Sequence, residues 1–235
     1  MKKAKAQETV YVLRTCDKDM KAYGGFVWPR SGPVCAPDWE KTTRCGNGLH
    51  GLMWGSGDVS RLSFAQDAVW MVVAVDKATI VDLGDKVKFP SGEVVFCGDR
   101  PSAVAEIVAR GADSSRVVYY TATAGYGGTA TAGYGGTATA GECGTATAGD
   151  GGTATAGDRG TATAGDGGTA TAGYRGTATA GDGGTATAGD GGTIAILWWD
   201  NKREKYRRAV AEVGENGIEK NKPYFVKNGV LTVKQ

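Results

Sequence analysis

Threonine recurs at every eighth position from Thr121 to Thr193, and nothing else in the chain constrains its fold as tightly. The unit is T-A-T-A-G-x-x-G, repeated nine times between Thr121 and Gly192. Strict alternation puts both threonines of a unit on one face of a strand and both alanines on the other. The G-x-x-G that follows is a turn, because glycine takes positive φ at little cost and aspartate bonds nearby backbone amides. A strand of four residues cannot hold itself, but copies stacked about 4.8 Å apart make continuous parallel ladders. The pattern therefore predicts a parallel β-solenoid.

Where the repeat ends, Thr193-Ile194-Ala195-Ile196 keeps the register and puts isoleucine at both former alanine positions. The alanine face is thus the core, and it is thin. Eighteen buried threonine hydroxyls would each need a partner, so the threonines face out. The second variable turn position is glycine in even-numbered units (Gly135, Gly151, Gly167, Gly183), whereas Cys143, Arg159 and Arg175 fall in odd-numbered ones. That segregation implies a coil of two octads, sixteen residues, and a stack on the order of 20 Å tall.

The fold class expected is mainly β: an amino-terminal α+β capping domain over 1–112, the octapeptide-repeat solenoid over 113–192, and a carboxy-terminal β-hairpin cap over 193–235. In the first part, strands are expected at 9–14, 68–76, 79–83 and 94–97, with a helix at 102–110 capped by Ser102 and followed by Gly111. In the last, Ile194–Trp199 and Tyr206–Val213 flank a polar turn, and Asn228-Gly229 signals a second hairpin between 224–227 and 230–234. A cap is required because the last coil would otherwise offer unpaired backbone to another chain. Trp198 and Trp199 read as end-capping core. The basic run Lys202, Arg203, Lys205, Arg207 and Arg208 reads as a solvated face.

Charge and composition narrow the partners. A formal charge of +2 gives no general argument for nucleic acid or membrane, and no apolar run reaches the roughly 20 residues that span a bilayer. The start, MKKAKAQETV, has no apolar stretch after its lysines, which argues against a secretory signal and for a cytoplasmic protein. Five cysteines without tight pairing fit reduced thiols. Within the repeats six carboxylates face two arginines, a net charge of −4 and a weak imitation of a nucleic acid.

Chemistry, if present, would centre on Cys45-Gly-Asn-Gly-Leu-His50, since His50 is the sole histidine and Cys45 its near thiol. Nothing in the sequence orients that pair, and buried turn residues are the plainer role. Zinc on Cys35, Cys45, His50 and Cys97 would have enough ligands at unfamiliar intervals. One carboxylate per turn matches calcium-binding nonapeptide rolls poorly. No catalytic residue, metal or cofactor is assigned, and the chain reads as a non-enzyme.

The T-A-T-A-G-Y-G-G unit, with A-G-Y-G and A-G-D-G turns, resembles the repeats of bacterial ice-nucleation proteins. What that resemblance implies is a role for the outward T-x-T rows in binding ordered water or ice. It carries over to Thr121, Thr123, Thr129, Thr131, Thr137, Thr139, Thr145, Thr147, Thr153, Thr155, Thr161, Thr163, Thr169, Thr171, Thr177, Thr179, Thr185 and Thr187. Tyrosine occupies the turn only at 126, 134 and 174, short of the unbroken tyrosine ladder associated with pairing in that family. The C-G-N-G-L-H segment resembles a C-x-N-G-[F/L]-H domain of uncharacterised bacterial and phage proteins. The alternatives are a rigid interaction scaffold that displays the amino-terminal domain to an unknown protein partner, and an enzyme centred on His50.

Overall fold

A computed structural model describes residues 8–234; the lysine-bearing start used in the export argument falls mostly outside the described residues. The chain divides into two compact units, 1–113 and 114–235. No helix among the described residues is long and apolar enough to cross a membrane.

The first unit is a seven-stranded antiparallel sheet with one α-helix. Its elements are β1 (Thr9–Cys16), β2 (Gly32–Cys35), β3 (Leu49–Met53), β4 (Val69–Asp76), β5 (Val81–Asp82), β6 (Val87–Phe89), β7 (Ser91–Gly98) and α1 (Arg100–Ala109). The strand order is β2-β7-β4-β1-β3-β6-β5. Alternation along β1 sends Val10 and Val12 into one apolar cluster with Met71, Val73 and Phe89. Leu13, paired with Val72, faces the other way, the face on which α1 buries Ala103, Val104 and Ile107.

Three local expectations are corrected here. The helix starts at Arg100, and its N-cap is Asp99, whose Oδ1 accepts from Ser102 N at 2.8 Å, not Ser102 itself. Pro101 suits a first helical turn because its fixed φ is already helical. The segment expected as a strand over 79–83 gives only the two-residue β5, because the Asp76 carboxylate accepts from Ala78 N and winds 77–79 into a 3₁₀ turn. Three strands were not anticipated: β2 holds Pro33, tolerated at a sheet edge, β3 holds Gly51, and β6 is only three residues long. At Gly51 a Cβ would lie 2.7 Å from Leu13 O, so the close approach of β1 demands glycine.

The second unit is the solenoid. Each octad supplies one four-residue strand: β8 (Thr121–Ala124), β9 (Thr129–Ala132), β10 (Thr137–Ala140), β11 (Thr145–Ala148), β12 (Thr153–Ala156), β13 (Thr161–Ala164), β14 (Thr169–Ala172), β15 (Thr177–Ala180) and β16 (Thr185–Ala188). Strands pair in parallel with the strand two octads away, residue for residue, so the coil is sixteen residues. β8, β10, β12, β14 and β16 form one sheet; β9, β11, β13 and β15 form the other. The alanines from Ala130 to Ala188 are at most 3% exposed and constitute the core between the sheets.

The carboxy-terminal residues finish both sheets with antiparallel strands. β17 (Thr193–Asp200) adds in parallel to β15, and β18 (Lys205–Glu212) pairs back on it. β19 (Tyr224–Lys227) adds to β16 and carries β20 (Val230–Val233). The apolar lid consists of Ile194, Ile196, Val213 and Tyr224, all in the alanine cluster. The tryptophans are not part of it, contrary to their reading as capping core: Trp198 is half-buried and Trp199 is 38% exposed. β17 runs four residues beyond the length of a repeat strand, which carries both rings past the end of the alanine core.

Candidate functional site

The threonine rows are the candidate site that the repeat builds. In the first sheet Thr121, Thr137, Thr153, Thr169 and Thr185 lie in direct register, and so do Thr123, Thr139, Thr155, Thr171 and Thr187. In the second, Thr129, Thr145, Thr161 and Thr177 align, as do Thr131, Thr147, Thr163 and Thr179. Standard strand geometry spaces the hydroxyls about 4.8 Å between coils and about 6.7 Å along a strand. Seventeen of the eighteen are exposed or half-buried. The exception is Thr185, 5% exposed, whose Oγ1 accepts from Lys234 Nζ at 3.2 Å where the terminal hairpin covers that end of the row.

Register along these faces depends on the turns. Gly165 shows why its position is glycine in every octad: a Cβ there would lie 2.7 Å from Asp150 N in the coil before. Turn aspartates are structural, since Asp150, Asp158 and Asp166 each accept through Oδ1 the amide of the next coil's turn residue, at 3.0, 2.9 and 2.8 Å. One edge carries Tyr134-Gly135 and then Asp-Gly at 150–151, 166–167 and 182–183. The other carries Cys143, Arg159 and Arg175 at φ of 53° to 58°, a left-handed conformation that costs an L-residue roughly 1–2 kcal/mol. Arg159 meets Glu142 at 3.5 Å, and Arg175 lies over the Tyr174 ring.

In the first unit, the C-G-N-G-L-H segment is not wholly a turn: Leu49 and His50 open β3. Arg14 Nη1 donates to His50 O at 3.1 Å, and the guanidinium stacks 3.8 Å from the centre of the Trp28 ring. Burial lowers the Arg14 guanidinium to about 10. Burial first, then the charges of Lys86, Arg14 and Lys88, lower the His50 imidazole to about 4. Lys88 is fully buried, and its Nζ donates to Thr42 Oγ1, Arg44 O and Gly46 O, fastening the loop ahead of β3. Cys45 is exposed, 3.1 Å from Lys86 Nζ. Among the described residues no group of three or more His, Cys, Asp or Glu side chains is placed to hold a metal, so Cys35, Cys45, His50 and Cys97 are not brought together. Sequence reasoning missed Arg14 and Lys88, whose only signal is a cation at an inward position of a strand.

Residues 10–106 match a domain of unknown function, DUF7666. An ice nucleation protein of Pseudomonas syringae pv. syringae is 46% identical over 114 residues, covering 48% of this chain and 10% of the relative. One from Pseudomonas fluorescens is 43% identical over 102 residues, covering 43% and 8%. Ice nucleation protein InaU of Pantoea ananas is 38% identical over 109 residues, covering 46% and 10%. The chain thus spans about a tenth of the length of the curated relatives it matches. No solved structure matches it. The chain is a β-solenoid repeat protein with an octapeptide repeat like that of the bacterial ice nucleation proteins, and its residues 10–106 are similar to an uncharacterised domain.

Proposed function

We propose that the outward T-x-T rows bind ordered water or ice, and that the protein acts without catalysis. The observation that carries this reading is the unbroken in-register ladder of threonines on each sheet. A hydroxyl donates one hydrogen bond and accepts up to two, while the neighbouring methyl offers water no partner. Rigid ladders therefore offer water a regular lattice of partners with little entropy left to lose. The names of the similar proteins point the same way.

Replacing Thr153, Thr155, Thr169 and Thr171 with lysine tests this. The expected result is reduced ice shaping with unchanged circular dichroism, because all four side chains point away from the alanine core. Undiminished ice activity in that variant, repeated on the opposite sheet, would remove the assignment. A second reading, a rigid scaffold displaying the first unit to a protein partner, is favoured by the shortness of the array, nine octads. Under that reading the substitutions leave partner capture intact, and the unsubstituted protein has no effect on ice.

A further inference from the structure

The carboxy-terminal end of the solenoid holds a feature that the repeat does not explain. A cavity of about 540 Å³ opens between the β17–β18 turn and the Asn228-Gly229 turn, within the size range of small-molecule sites. Its lining includes Lys202, Arg203, Arg207 and Arg208, with Asp200 as the carboxylate, a local charge of +3. The whole-chain value of +2 conceals this concentration, because the repeats contribute −4.

Two guanidiniums are held in place from below. Asp200 is 4% exposed, and its Oδ2 pairs with Arg203 Nη1 at 3.0 Å and Arg207 Nη1 at 3.4 Å. Its Oδ1 accepts from Lys202 N and Arg203 N, closing the turn. One negative charge therefore organises two arginines and neutralises one. Lys202 and Arg208 are in no ion pair among the described residues. Indole rings supply the remaining wall. Arg207 lies over Trp198, and a Cβ on Gly229 would sit 2.8 Å from that ring, so glycine lets the second turn close on it. Trp199 stands partly exposed, edge-on to Tyr206 at 5.0 Å.

We propose that this cavity binds the phosphate of a nucleotide, free or within a single strand, with its base against a tryptophan. Unused guanidinium N–H groups suit phosphate oxygens in paired geometry, and every base has a face that stacks on indole. Acidic protein, including the turn column of a second copy, fits less well. In that column Asp150, Asp166 and Asp182 already accept in-chain amides.

The test uses the full chain and a fluorescent oligothymidine of about ten nucleotides, followed by anisotropy across a salt series. Binding at low salt is expected, with a log–log salt slope near about −2 if some three phosphates are engaged. Lys202→Glu with Arg208→Glu, both exposed, should weaken binding about tenfold or more and flatten the slope. Trp199→Ala should weaken it about fivefold or more with the slope unchanged. Displacement by ATP would assign a free nucleotide, and failure of ATP to displace would assign the strand; either supports the site. No binding at low salt by oligothymidine or ATP, insensitivity to both variants, or equal competition by polyglutamate would overturn it.

Discussion

The two units solve the same problem, a sheet with a buried face, by opposite means. The first packs dissimilar side chains, Leu13, Met71, Phe89 and Trp28 among them, each with its own neighbours. The second packs one methyl group many times over, on the same pairing in every coil. A heterogeneous core can bury unusual groups such as Arg14 and Lys88, while a uniform core leaves its outward surface regular. What the repeat gives up in local variety it recovers as a periodic face in direct register, which is a property a lattice-binding surface needs.

The contrast breaks most visibly under core substitution. Leu13→Ala in the first unit is expected to cost about 2–5 kcal/mol, since a cavity opens among unlike neighbours that cannot collapse. In the solenoid the sensitive direction is reversed: Ala162→Leu should cost about 1–3 kcal/mol or more, because sheets spaced by methyl groups have no room for a branched chain. Urea midpoints for each unit check both values, and equal tolerance of Ala162→Leu and Ala162→Gly would contradict a thin, filled core. Next in size are the two edges. Gly167→Ala forces an L-residue to φ near +65° and should destabilise by about 1 kcal/mol. Arg159→Gly relieves that conformation and should not destabilise, apart from a weak surface ion pair with Glu142. Melting curves that put the two changes in the opposite order would contradict the strain assigned to the arginine edge.

An effect of comparable size, read through pH, belongs to His50. Its imidazole protonates near 6.5 when unfolded and near 4 when folded, so the unfolded chain binds the extra proton in between. Stability from this group is complete above pH 6.5 and falls as the pH drops toward 4. For a half-buried ring the loss is on the order of 1 kcal/mol after solvent screening. Hydrogen exchange of β1 and β3 amides at pH 7 and pH 4.5 reads it, and His50→Gln should shallow the dependence. An unchanged slope would mean that the ring is solvated in the fold.

Legibility from sequence follows the same division. In the solenoid, period, core face and coil length are all visible, because Ile194 and Ile196 mark the inside and Cys143, Arg159 and Arg175 mark alternate turns. The turn aspartates' bonds to the next coil are not visible, since they join residues sixteen apart through backbone amides. In the first unit, β1 and β4 show as apolar runs, but Pro33 and Gly51 disguise β2 and β3 as loops. The basic cavity at the far end needs Gly229 beside Trp198, a proximity set by two separate hairpins adding to different sheets.

The most direct measurement is growth of single ice crystals in the purified full chain, recording crystal shape and the gap between melting and freezing points. Water-ordering threonine faces predict faceted crystals and a measurable gap. Round crystals with no gap would contradict that role and leave the solenoid as a scaffold.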